Sequence, residues 1–113
     1  MSKNPPYPEF IKALPQADLP MQGVNGYILG GPTAQGVFFE IPAGSVVPEH
    51  SHGDQWGVVL AGEIEFTVEG EMRHCKTGDS YYVPAGAVHG AKTLTDARIL
   101  EVFDDPNRWK PHE

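Results

Sequence analysis

The sequence predicts an all-β fold: a small antiparallel β-barrel, or jelly roll, preceded by an N-terminal arm. Gly and Pro number 13 and 11 in a chain of 113 residues, and they are scattered rather than clustered, which favours many short strands over long helices. Short apolar runs are closed by turn signals roughly every 8–12 residues, the rhythm of a sandwich or barrel. The run Glu63–Glu69 alternates strictly, with Ile64, Phe66 and Val68 set against Glu63, Glu65, Thr67 and Glu69. That is the period of a strand with one buried and one wet face.

Each element follows from its residues. Positions 1–22 are punctuated by Pro5, Pro6, Pro8, Pro15 and Pro20. Between them Phe10, Ile11 and Leu14 fall at helical spacing and predict one short turn of helix. This arm is expected to lay apolar side chains over the core or onto a second subunit; the plain alternative is a loosely ordered tail. Strands are expected over 24–29, closed by Gly30-Gly31-Pro32, over 36–41, closed by Pro42-Ala43-Gly44, and then over 45–50 and 56–60. Glu69-Gly70-Glu71 reads as a hairpin turn joining 63–69 to a return strand over 72–75. Thr77-Gly78-Asp79 turns again, 80–83 is a strand stopped by Pro84-Ala85-Gly86, and 87–93 and 97–103 complete the set. The barrel is therefore expected over 23–105, with a polar tail over 106–113. No helix–strand alternation supports a parallel sheet, and neither Gly30-Gly31-Pro32 nor Gly23-Val24-Asn25-Gly26 has the pattern of a phosphate-binding loop.

Charge narrows the partners. Eight Lys+Arg against fifteen Asp+Glu give a formal balance of −7, so nucleic acid and anionic membranes are expected to be repelled. No run approaches 18 apolar residues, which excludes a hydrophobic spanning helix. The first residues lack an apolar signal core, so a cytoplasmic protein is expected. The single cysteine, Cys75, allows no disulfide within the chain. A core this small is left to itself, a metal or a partner subunit.

Chemistry concentrates at three of the five histidines. His50 and His52 are two apart in an extended segment, so both imidazoles project from one face and can converge on a transition metal. His89 leaves the Pro84-Ala85-Gly86 turn and would face the same cavity if the sheet closes.

These residues resemble the two motifs of the cupins. The first, G-x5-H-x-H-x(3,4)-E-x6-G, is matched by Gly44, His50, His52 and Gly62. The second, G-x5-P-x-G-x2-H-x3-N, is matched by Gly78, Pro84, Gly86 and His89, with Thr93 in the place of Asn. The 15 residues Glu63–Thr77 separate them, as in short single-domain cupins. The resemblance implies a double-stranded β-helix holding one divalent transition metal per chain. Fe, Mn, Ni, Cu and Zn are not distinguished, because imidazole suits most of them. The motif-one glutamate is missing. Counting back from Gly62, its place falls to Gln55, with only Gly53 and Asp54 between it and His52. Strand parity puts Gln55 with Gly57 and Val59 on the inward face and favours it over Asp54 as fourth ligand. The implied set is His50, His52, Gln55 and His89, similar to a His-His-Gln-His cupin variant. A neutral set leaves the ion its full charge, for weaker binding and stronger polarisation of a bound oxygen. Gly57 is expected to leave room above the metal.

By resemblance, the protein is expected to be a homodimer acting on a small oxygen-chelating molecule. Two enzyme chemistries fit, a dioxygenase-like oxidoreductase and an isomerase or decarboxylase of oxo-acids. A non-catalytic module with the metal as anchor, and a scaffold merely stabilised by metal, are the other readings. No general base stands out. Glu40 and Glu101 lie in apolar runs, where an inward carboxylate would be a proton-transfer group, but outward placement is the expected one. His74 is expected at the surface, His112 in solvent, Cys75 as a buried inert thiol and Asp79 as a turn cap. Trp56, Tyr81 and Tyr82 are expected in the core or an interface. One of Tyr27, Phe38, Phe39, Trp56 and Tyr81 is expected to line the cavity.

Overall fold

Over residues 6–111, which the computed structural model describes, nine strands form in the order expected. They are β1 Asn25–Gly30, β2 Gln35–Ile41, β3 Val46–His50, β4 Gln55–Ala61, β5 Glu63–Val68, β6 Glu71–Lys76, β7 Ser80–Val83, β8 His89–Thr93 and β9 Ala97–Phe103. A single turn of helix, α1 Glu9–Lys12, precedes them. All strand pairs are antiparallel, in a five-stranded sheet of order β1-β2-β9-β4-β7 and a four-stranded sheet of order β3-β8-β5-β6. The order comes from pairing distant strands, as in a jelly roll. The last strand, β9, lies between β2 and β4.

The inner faces of the two sheets meet in one core. Val37, Val59 and Val83 come from the larger sheet, and Ile64, Phe66 and Cys75 from the smaller. Each large apolar side chain buried in this way contributes about 1.5–3 kcal/mol. The β5 alternation holds: Ile64 and Phe66 are buried and their neighbours are not. Glu69 and Gly70 both take positive φ, 49° and 82°, as a two-residue hairpin turn matched to strand twist requires. On the edge strand β6 only Cys75 is buried, and its charged neighbours Glu71, Arg73 and Lys76 are exposed, which protects a free edge.

Strand β8 begins at His89 rather than 87, because the Ala87 N–H closes the preceding turn on the Pro84 carbonyl at 3.1 Å. In the arm, Tyr7 is buried with its hydroxyl donating to the Phe39 carbonyl at 2.9 Å. Ala17 bridges to Pro111, while Phe10 remains 77% exposed. His112 lies outside the described residues. Among the described residues no helix is long and apolar enough to cross a membrane.

Thr93, at the motif position usually held by Asn, ties the two ends of a turn. Its hydroxyl donates to the Pro42 carbonyl at 2.7 Å and accepts from the Ser45 N–H at 2.9 Å. Thr93→Val keeps the shape and removes both bonds. We expect it to cost about 1–3 kcal/mol, since a buried polar group loses its partner, measured as a lower urea midpoint at unchanged slope.

Candidate metal centre

The three motif histidines meet. His50 ends β3 and pairs directly with His89 at the start of β8, beside a bulge between Val47 and His50. Gly90 permits that bulge, because a Cβ there would stand 2.9 Å from the Val47 carbonyl oxygen. His52 lies just beyond β3. Its carbonyl accepts the Gly86 N–H at 2.8 Å, which stitches the histidine segment to the Pro84-Ala85-Gly86 turn. The ring centroids are 5.1, 4.3 and 4.8 Å apart, and the candidate ligand atoms lie within 4.8 Å of one another.

The rings are set for coordination. Each Nδ1 faces a backbone carbonyl: His50 to Pro48 at 2.8 Å, His52 to Gly53 at 2.9 Å and His89 to Ala87 at 3.0 Å. A carbonyl can only accept, so each Nδ1 carries the proton and each Nε2 keeps its lone pair. This is the usual support for a metal-bound imidazole. The Nε2 atoms of His52 and His89 are buried without a partner, a state that costs about 1–3 kcal/mol per group unless something fills it. Burial, aided by the nearby Arg108 charge, pushes His52 down to about 4. Burial also lowers His89, against the pull of the Ala87 carbonyl. Neutral rings are the form that binds metal. The three-histidine group suits a metal site.

Gln55 and Asp54 part company. Gln55 is buried and lines the cavity, and its Oε1 is buried without a partner. Asp54 turns away: its Oδ1 accepts from the Tyr82 hydroxyl at 2.9 Å and from the Ala85 N–H at 2.8 Å.

The expectation for Glu101 is overturned. Rather than facing outward, it lines the cavity, in phase with buried Ile99 and Phe103. Its Oε2 accepts from the Gln55 amide and from the Tyr81 hydroxyl, the latter at 2.5 Å. Burial holds its carboxyl above the usual range, opposed by those two hydrogen bonds and by the Arg108 charge. The Gln55 amide is thereby oriented, with Nε2 toward Glu101 and Oε1 left over. Glu40 does face outward, accepting from the Tyr27 hydroxyl at 2.8 Å.

The room expected above Gly57 is also absent. A Cβ there would lie 2.5 Å from the Tyr81 Oη, so the tyrosine ring fills the space. Of the five aromatic candidates, Phe39 and Tyr81 line the cavity. Trp56 and Tyr82 are 43% and 59% exposed.

Sequence reasoning missed the other wall. Phe103, Arg108 and Trp109 line the cavity, the last two from a segment read only as a polar tail. No periodic signal marks them, because the segment is not a strand. The Arg108 guanidinium carbon lies 4.2 Å from the Trp109 ring centroid and 5.5 Å from that of Phe103. Outside the site, Cys75 is fully buried, and burial raises its thiol. Asp79 caps its turn by accepting the Lys76 N–H at 2.9 Å. His74 is half-exposed, 4.0 Å from Glu63.

Imidazoles from two distant stretches, converging inside a jelly roll, are the arrangement of a cupin. The cupin domain model matches residues 37–103, and the chain belongs to that family. It is 36% identical over 67 residues to the pectin degradation protein KdgF of Dickeya dadantii, a match covering 58% of this chain but only 61% of that protein. Among solved structures, KdgF from Halomonas sp. superimposes with a TM-score of 0.74 at 31% identity, covering 82% of this chain and 86% of that one. An RmlC-like cupin from Shewanella frigidimarina gives 0.78 at 26% identity, covering 95% and 94%.

Proposed function

We propose that this cupin is a metal-dependent isomerase of a small oxo- or hydroxy-acid, of the kind released in pectin degradation. The observation that carries the reading is Glu101: a buried carboxylate facing the same cavity as the three histidines, where the sequence offered no base. The matches to KdgF support the metabolic setting.

His50, His52 and His89 would hold the ion through Nε2, with the Gln55 Oε1 as fourth donor. When bound, a divalent ion supplies Lewis-acid polarisation of a substrate oxygen. The chain's own residues supply the rest. The Arg108 guanidinium, lying over the Phe103 and Trp109 rings and with its Nε buried and unpartnered, is suited to take a substrate carboxylate. Glu101 carries both protein hydrogen bonds on Oε2, which leaves Oε1 to accept a proton from the carbon beside a carbonyl. Returning that proton to another atom of the same substrate isomerises it with no co-reactant. Tyr81 and Gln55 hold the carboxylate still throughout.

Wild type loaded with Mn(II) is expected to convert acids of a pectin digest without oxygen, with deuterium incorporated from D2O. Glu101→Gln should keep its metal and lose about 100–10,000-fold in turnover, the usual contribution of a general base. Turnover that requires oxygen overturns the reading in favour of a dioxygenase, and binding without turnover leaves a ligand-binding module. We also take the protein to be a cytoplasmic homodimer. The exposed row of Leu29, Val102, Trp56 and Tyr82 across the larger sheet supports the dimer.

A further inference from the structure

The wall missed by the sequence is held by one side chain. Gln35, the first residue of β2, is 3% exposed. Its Nε2 donates to the Trp109 carbonyl at 2.9 Å and to the Pro106 carbonyl at 3.3 Å, while its Oε1 accepts the Trp109 N–H at 2.9 Å. The amide thus takes both backbone hydrogen-bonding groups of Trp109, as a neighbouring strand would. A second tie lies further along, where the Lys110 carbonyl accepts the Asp18 N–H at 2.8 Å and Pro111 bridges to Ala17. Before these ties the chain makes a tight turn, with Asp105 accepting the Asn107 N–H through its side chain and the Arg108 N–H through its carbonyl. Residues 106–111 therefore form a strap pinned to β2 and to the arm.

The strap closes a small space. The cavity is about 70 Å³, against roughly 300–1,000 Å³ for ordinary small-molecule sites. Trp109 lines this cavity on one side and, on the other, an outer groove with Leu14, Pro15 and Pro106. It is the partition between them. Two buried donors without partners, the Arg108 Nε and the Trp109 Nε1, sit on the strap.

We propose that Gln35 is a positioning residue: its amide latches the strap and so sets Arg108 and Trp109 against the cavity, and its release admits ligands larger than the cavity now encloses. Only the role of Arg108 toward an anion rests on the function proposed above. The latch itself rests on the hydrogen bonds and the size of the cavity.

Native-state trypsin cleavage between Arg108 and Trp109 tests it. Lys110 precedes proline and is not cut. Gln35→Leu removes three hydrogen bonds from the strap, so cleavage after Arg108 should accelerate about tenfold or more. Cleavage after Arg98, inside β9, should stay at the wild-type rate, which separates strap release from global unfolding. In a Trp56→Phe background the remaining tryptophan is Trp109, and Gln35→Leu should raise its quenching by acrylamide. Equal cleavage rates, or acceleration only together with Arg98, overturn the latch.

Positioning through Arg108 has its own readout. Oxalate, a small chelating dianion, is titrated calorimetrically into the Mn(II)-loaded protein. Gln35→Leu and Arg108→Ala should each weaken binding, and the double variant should be no weaker than Arg108→Ala alone. Fully additive losses overturn the positioning role. If wild type fails to bind oxalate, the anion-binding role of Arg108 falls, while the cleavage rates still decide the latch.

Discussion

Alanine at position 52 or 89 is expected to strip most bound metal from the protein. Each variant removes an imidazole whose Nδ1 is already committed to a backbone carbonyl and whose buried Nε2 has no other partner. Losing a supporting outer-shell partner typically costs a metal site 10–100-fold in affinity, and losing a ligand should cost more. His74→Ala and Cys75→Ser serve as controls. His74 is half-exposed beside Glu63, and Cys75 is sealed in the core. Metal content by elemental analysis after equilibration with one divalent ion reads the result. His52 is only partly buried, so His52→Ala keeps the test sound if His89→Ala folds poorly. Equal occupancy in all four variants would sink the ligand assignment. Because metal binds only the folded site, the occupied wild type should also melt higher than the His52 variant, by an amount that grows with free metal.

The second large effect is expected from a single methyl group. In Gly57→Ala the new Cβ would stand 2.5 Å from the Tyr81 Oη and 2.7 Å from its Cε1, and closer still to Cζ. The ring also packs on Phe66, with centroids 4.1 Å apart, so a shift would disturb that contact as well. Overpacking of this kind costs about 1–3 kcal/mol. The displacement would also pull the Tyr81 hydroxyl from Glu101, so turnover should fall together with stability. Urea unfolding measures the first effect. Replacing Tyr81 by Leu in the same chain should recover part of the loss, a coupling expected of residues in contact. Wild-type stability in Gly57→Ala would mean that the ring does not fill the space opposite that glycine.

Much of the site was legible because it is built from local spacing. The i, i+2 relation of His50 and His52, and the turn before His89, put three rings within reach once a sheet was assumed. Parity also separated Gln55 from Asp54. Glu101 was half legible. In Ala97–Phe103 both phases are rich in apolar residues, with Ile99 and Phe103 on one and Leu100 and Val102 on the other. Alternation alone could not say which phase faces in. The pairing of β9 between β2 and β4 decides it, opposing Glu101 to Val37 and Gly57 on the inner face. The vacancy expected at Gly57 failed for the same reason. A missing side chain shows that something comes close, and only the β4–β7 register shows that it is Tyr81.

From its own order of residues, this chain determined that it would be a small β-protein, where its strands would lie, and which imidazoles could share an ion. Those are consequences of period, turn chemistry and short spacing, all of which act between near neighbours. Only the tertiary structure decided what surrounds the three imidazoles. Glu101 becomes a candidate base because a strand 46 residues beyond Gln55 pairs beside it, and Arg108 and Trp109 enter the cavity on a strap that Gln35, more than 70 residues earlier, holds by the Pro106 and Trp109 backbone. Such contacts join side chains across sheets, and no local pattern in a sequence encodes the partner on the far side.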